Sequence, residues 1–172
     1  MARYGFIHDK LDIKILILFI LQRLPEAISG ETLLGLALCD EGFDYFDYSE
    51  CLSELIETGH VAESPEGYAI TEKGLEHVSV IESSLPYSVR IKVERAARPI
   101  ASAMRRSAMI RVLREKSDNG ATYVTLSLSD GVGDILSMRL LTARDEQAGA
   151  IESAFRAGAE GIYNKIIEML SE

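Results

Sequence analysis

Leu11 to Leu21 is a run of eleven residues in which only Asp12 and Lys14 are charged. Wound as a helix, its apolar side chains cover most of the circumference, so the rest of the chain has to surround it. A membrane span needs about 20 apolar residues, roughly twice this length. The Gln22-Arg23-Leu24-Pro25 segment that follows lacks the small-residue cleavage site of a secretory signal. The run therefore predicts a central core helix in a cytoplasmic protein, capped by Asp9, running from about Lys10 to Arg23 and ended by Pro25.

Shorter amphipathic segments follow. Ser29 is placed to cap a helix over Glu31 to Leu38 that offers Leu33, Leu34, Leu36 and Leu38 for burial. A third helix is predicted from about Phe46 to Thr58, with Asp47 and Glu50 at capping-box spacing and Tyr48, Cys51, Leu52, Leu55 and Ile56 on one face. Gly59 suits a left-handed stop. Val61 to Glu63 and Tyr68 to Ile70 flank the turn Ser64-Pro65-Glu66-Gly67, a hairpin pattern. Thr71 then caps a fourth helix containing Leu75, Val78 and Ile81. Three helices, a hairpin and another helix is the order of a winged helix. The strings Leu55-Ile56-Glu57-Thr58-Gly59-His60-Val61 and Tyr68-Ala69-Ile70-Thr71-Glu72-Lys73-Gly74 resemble winged-helix regulators of the PadR and MarR type. The resemblance spans roughly residues 8–82 and implies that the third helix enters the major groove while the hairpin wing touches the backbone.

Charge is distributed unevenly. The chain carries a formal net charge of −9, which argues against a protein that simply coats nucleic acid or an anionic membrane. Residues 1–84 hold 5 basic and 16 acidic side chains, whereas residues 85–117 hold 9 basic and 2 acidic ones. Residues 118–172 are acidic again, with 4 basic and 9 acidic side chains. This division predicts a winged-helix domain over residues 1–84, a basic connector helix over 85–106, and a further domain over 107–172.

The third helix is itself acidic. Asp47, Glu50, Glu54 and Glu57 lie opposite its apolar stripe, and DNA phosphates recur about every 1.7 Å along the duplex axis. Docking by the helix N-terminal end alone avoids most of that repulsion. Tyr45, Tyr48, Ser49 and Ser53 then supply neutral hydrogen bonds, and Glu50 can accept from a cytosine amine. The wing tip offers Glu63 and Glu66 and no cation.

The connector is the basic element. Pro86 suits a first helical turn. Val89, Val93, Ala96, Ile100 and Met104 mark an apolar stripe, and Arg90, Arg95, Arg98, Arg105 and Arg106 project from the other side. Pro99 removes the bond to the Arg95 carbonyl, which predicts a kink or break. Two readings stand for these arginines: phosphate contact, or a solvated face that meets carboxylates of this chain or of a partner.

Residues 108–140 show three period-two runs. These are Ala108, Ile110 and Val112; Val124, Leu126 and Leu128; and Leu136, Met138 and Leu140. Asn119-Gly120 and Asp130-Gly131-Val132-Gly133 separate them as turns, which predicts a three-stranded antiparallel meander with one buried face. Thr142 and Asp145 have capping-box spacing ahead of a helix to about Leu170, with a stripe of Ala148, Ile151, Phe155, Ile162, Ile166 and Leu170. Gly158 and Gly161 in that helix suggest a close backbone neighbour. The fold class is α+β. The open sheet face, with Tyr123, Thr125, Ser127 and Arg139, reads as plain solvent-facing sheet ahead of a small-molecule site.

No catalytic constellation assembles. His8, His60 and His77 have no neighbour at metal-ligand spacing, Gly131-Val132-Gly133 lacks the third glycine and the strand-to-helix setting of a dinucleotide fingerprint, and Cys39 and Cys51 read as core thiols. The expectation is a non-enzyme with no metal and no cofactor.

Four strings together resemble a bacterial family catalogued as domain of unknown function 4364. They are Gly5-Phe6-Ile7-His8-Asp9-Lys10-Leu11-Asp12-Ile13-Lys14, Glu82-Ser83-Ser84-Leu85-Pro86-Tyr87-Ser88-Val89-Arg90, Leu126-Ser127-Leu128-Ser129-Asp130-Gly131, and Ile162-Tyr163-Asn164-Lys165-Ile166-Ile167. The resemblance covers nearly the whole chain. It implies a winged-helix-like protein of regulatory role and carries no catalytic residues. The leading expectation is a cytoplasmic transcriptional-regulator-like homodimer on duplex DNA. The rival is an interaction and dimerisation module whose acidic winged helix docks a basic protein and leaves DNA alone.

Overall fold

The computed structural model describes residues 5–118 and 120–171. The chain divides into two compact units, Met1–Met104 and Arg105–Glu172, each with its own core.

In the first unit α1, Lys10–Gln22, lies at the centre. Asp9 caps it, accepting from the Asp12 amide at 2.8 Å, and Ile13 and every residue from Ile15 to Leu21 are buried. This all-round burial is what its uninterrupted apolar run requires. α2, Gly30–Ala37, is capped by Ser29 and buries Leu33, Leu36 and Ala37, while Leu38 stays exposed. α3, Tyr45–Glu57, begins earlier than its sequence suggests. Asp44, in extended conformation, accepts from the amides of Phe46 and Asp47, and the Asp47 carboxylate returns to the Asp44 amide. The expected pair of Asp47 and Glu50 is thus corrected: the capping box uses Asp44 and Asp47, one step of three earlier.

β1, Val61–Ser64, and β2, Gly67–Ile70, form the hairpin, with Val61 opposite Ile70. Gly59 takes a φ of 72°, as a left-handed stop should. Ile28 adds a one-residue third rung, exchanging backbone hydrogen bonds with Tyr68 at 3.0 and 2.8 Å. No periodicity announces a single residue of this kind. α4, Glu72–Ile81, is capped by Thr71 and buries Gly74 and Val78, leaving Leu75 more exposed than its position in the apolar pattern suggests.

A 3-10 turn over Glu82–Ser84 leads into α5, Tyr87–Met109. Its buried stripe is Val89, Val93, Ala97 and Ala101, so Ala97 takes the place expected of Ala96. Of the kink or break expected at Pro99, the break does not occur: the helix continues through it. Pro99 and Arg95 both lie on the exposed side, where water can take the orphaned carbonyl, so one lost bond does not end the helix.

The second unit is a meander of β3 (Ile110–Lys116), β4 (Thr122–Ser129) and β5 (Asp134–Thr142) with α6 (Asp145–Ser171). The central strand β4 alternates strictly, burying Thr122, Val124, Leu126 and Leu128. These meet Ile110, Ala148, Phe155 and Ala159. The first strand starts at Ile110 because Ala108 and Met109 remain helical. Asn119 lies outside the described residues; its neighbour Gly120 has a φ of 82°. In the second turn the Asp130 carboxylate accepts from the Val132 and Gly133 amides, which holds it below the usual carboxylate range.

Two expectations for α6 are corrected. Thr142 is no cap: it ends β5, buried, and its hydroxyl donates to the Thr122 carbonyl at 2.9 Å. Gly158 departs from helical geometry (φ −144°, ψ 29°), and neither it nor Gly161 has a neighbour within 4 Å of where a Cβ would sit. Gly158 therefore kinks the helix, and neither glycine accommodates a described backbone. Leu170 at its far end is exposed, and Ala159 takes a place in the buried stripe. No helix among the described residues is long and apolar enough to cross a membrane.

Candidate functional site

Four residues singled out from sequence come together in one cleft. Tyr45, Tyr48, Ser49 and Ser53 of α3 line it, with Gly30 and Glu31 at the start of α2 and Glu63 and Tyr68 of the hairpin, around a volume of about 430 Å³. The Ile28–Tyr68 rung fixes the hairpin to the segment that enters α2. Tyr68 donates to Glu63 across the hairpin at 3.1 Å, and burial together with that bond pushes its own ionisation up.

The structure corrects the surface role expected of Tyr48. Its side chain belongs to the core face of α3 and is only 4% exposed, so its hydroxyl cannot reach a DNA groove. That hydroxyl has no hydrogen-bond partner among the described residues. Burial, then the neighbouring Tyr68 and Tyr45, hold it firmly protonated. Tyr45 is open, its ring 6.5 Å from that of Tyr48, and Phe46 beside it is 79% exposed. Ser49 is half-buried and Ser53 exposed. Sequence reasoning missed Glu31 and Tyr68 as members of this group. The strand register that sets Tyr68 opposite Glu63 was the available signal.

The carboxylates of α3 do not all face outward alone. Lys10 pairs with Glu50 and Lys14 with Glu54, so two of them are drawn toward α1. The Glu50 bond holds the Lys10 ammonium above its ordinary value, and Lys14 holds Glu54 below the usual carboxylate range. Arg23 reaches Glu82 and Glu94 while stacking 4.0 Å over the Phe19 ring, and Lys73 donates to the Thr58 carbonyl at 2.7 Å. Each of these four cations is therefore occupied within the unit.

The arginines of α5 differ from one another. Arg90 is half-buried near the Tyr87 ring, with its Nε enclosed and unpartnered. Lys92 points back to the Cys39 carbonyl. Arg95 and Arg98 are exposed, and neither has an ion pair among the described residues. A spacing of three puts them on one helix face. In the second unit Arg105 is likewise exposed and unpaired, whereas Arg106 meets Glu160 at 3.3 Å. Arg139 there stacks over Tyr123 and pairs with Glu115, so the cation of the open sheet face already has a carboxylate.

The remaining reactive groups are arranged structurally. Burial pushes the Cys39 and Cys51 thiols up, away from the thiolate that redox or nucleophilic chemistry uses. His60 bridges Thr58 and His77 at 2.8 and 2.7 Å. No group of three His, Cys, Asp or Glu among the described residues is placed to hold a metal ion.

The architecture defines a class: a two-unit α+β protein with a helix-rich N-terminal unit and a three-stranded antiparallel sheet packed on its long C-terminal helix. The chain belongs to the family described as Domain of unknown function (DUF4364), whose model matches residues 13–170. No curated protein and no solved structure matches it significantly.

Proposed function

We propose that this chain is a non-enzymatic, winged-helix transcriptional regulator of the cytoplasm that binds duplex DNA as a homodimer, with Arg95 and Arg98 of α5 on the phosphates. The observation that carries this reading is the contrast among the cations of the first unit. Lys10, Lys14, Arg23 and Lys73 are occupied internally, whereas Arg95 and Arg98 stand exposed on one face with no carboxylate partner among the described residues. Unpaired arginines cost no internal ion pair when they meet a phosphate. The order of helices and hairpin supports the winged-helix reading, with Ile28 as the extra rung behind the wing. Exposed Ile167, Met169 and Leu170 at the end of α6 support self-association.

Fluorescence anisotropy on duplex DNA across a salt series tests the reading. The wild type is expected to bind with a steep salt dependence. Changing both arginines to alanine should flatten the slope of log K against log salt by about 1.8, close to 0.9 per phosphate contact. No binding at low ionic strength overturns it.

A second reading has its own support: an interaction module that docks a basic protein. Phe46 and Tyr45 stand exposed at the start of α3 beside Glu31 and Glu63, an aromatic anchor in an acidic rim. Loss of DNA binding together with capture of a basic partner that depends on Phe46 would establish it.

A further inference from the structure

We infer that the cleft between α2, α3 and the β1–β2 hairpin binds a small organic ammonium cation. This goes beyond the DNA reading and is independent of how α5 is used.

Tyr45 and Tyr68 give the cleft accessible aromatic surfaces, the buried Tyr48 forms part of its wall, and Glu31 and Glu63 give it two carboxylates. None of its lining residues is Lys, Arg or His. An aromatic face attracts a cation through its quadrupole, and the attraction grows when water is excluded. Carboxylates beside such faces add Coulomb attraction for the same charge and repel anions, phosphate among them. A volume of about 430 Å³ is of small-molecule size.

The second observation is the Tyr48 hydroxyl. It is enclosed, it has no partner among the described residues, and its residue forms part of the cleft wall. A buried polar group left unpaired is costly, and such groups call for an explanation. Here a hydroxyl-bearing guest, or a water held beneath the guest, supplies the missing bond after a small adjustment of the ring. The site is also preorganised. The hairpin is tied to Ile28, α3 is held by its capping box, and the Tyr68–Glu63 bond leaves the second Glu63 oxygen free for the guest.

The class of ligand follows from these features. A metal ion would meet two carboxylates and aromatic rings, too few donors. A compact ammonium whose carbon-bound hydrogens lie on tyrosine faces meets both the rings and the charge. A quaternary ammonium suits this best, because it needs no hydrogen-bond acceptor for the cation itself.

The test is titration of the full chain with choline and with 3,3-dimethylbutan-1-ol, its neutral isostere, followed by calorimetry and by amide NMR. Choline should bind saturably and shift the Ser49 and Ser53 amides. The isostere should bind at least about tenfold more weakly, because it lacks the charge that cation–π attraction requires. Glu63→Gln and Tyr45→Ala should each weaken choline about fivefold while leaving the circular dichroism unchanged, since both side chains are exposed. Equal binding of the isostere, perturbed amides confined to the second unit, indifference to both substitutions, or no saturation by choline at low salt would each overturn the inference.

Discussion

The carboxylate of Asp40 accepts the amide of Ile7 at 3.1 Å, and both residues are buried. The same side chain accepts the amides of Phe6 and Gly42 at 3.0 Å. It has no cationic partner among the described residues; backbone N–H groups alone satisfy it. Asp40 thus ties the segment before α1 to the turn between α2 and α3, where Ile7 completes the core. Replacing Asp40 by Ala should lower stability by about 3 kcal/mol, because bonds to a charged acceptor are lost and buried donors are left unpaired. Asp40→Asn keeps one acceptor and should cost about half as much. Urea denaturation of the two variants checks the order, and an Ala variant as stable as the Asn variant contradicts it.

Gly67 is expected to be irreplaceable. Its φ is 125°, and a Cβ there would lie 2.0 Å from the Ile28 carbonyl oxygen. That oxygen accepts the Tyr68 amide, so the side chain would push the hairpin off its extra rung. Gly67→Ala should cost about 2 kcal/mol or more. Gly35, inside α2 with open space around it, is the internal control. Gly35→Ala should stabilise by about 0.5–1 kcal/mol. Opposite shifts of the urea midpoint are the expected result; shifts of the same sign would contradict it.

These two positions mark what a sequence discloses and what it withholds. The caps Asp9, Ser29 and Thr71 and the alternation of β4 were legible because each is local, a side chain and an amide a few residues apart or a period of two. The role of Asp40 was not legible, since two of its three donors, the Phe6 and Ile7 amides, lie more than thirty residues away in the chain. Thr142 and Asp145 satisfied a capping-box pattern that strand pairing overrode, the hydroxyl finding the Thr122 carbonyl first. The candidate cleft was half legible. The α3 residues lie at helical spacing and were found together; the hairpin register could have added Tyr68, but its tie to Ile28, ahead of α2 and Glu31, has no signature in one dimension. The fate of the cations was invisible as well. Lys10 and Lys14 look like Arg95 and Arg98 in a string of letters, and only packing decides which meet a carboxylate.

His60 predicts a pH dependence. Burial, then the nearby Lys73, His77 and Lys14, hold its imidazole below the ordinary value of 6.5. A depressed folded-state value means that the unfolded chain takes up the proton more readily. Stability is therefore full above about pH 6.5 and falls as the pH drops through the folded-state value. Thermal unfolding at pH 7.5 and pH 5.5 should show a lower Tm at the acid value, and His60→Gln should shrink that difference. The chosen window lies above the carboxylate range, so the Lys14–Glu54 and Arg156–Glu152 pairs stay intact across it. Equal Tm values in the wild type would remove His60 from the account.

Tyr48 separates the packing of α3 from the chemistry of its cleft. The ring fills the core, while the hydroxyl is enclosed and bonded to no described residue. Removing an unsatisfied polar group relieves its desolvation cost, so Tyr48→Phe should be neutral or stabilising by about 1 kcal/mol. Tyr48→Ala, which empties the ring volume, should cost about 3–5 kcal/mol. Urea denaturation of both variants distinguishes the two contributions. A destabilised Phe variant would mean that the hydroxyl has an acceptor in solution, and its amide shifts would then locate that acceptor within α3 or the hairpin.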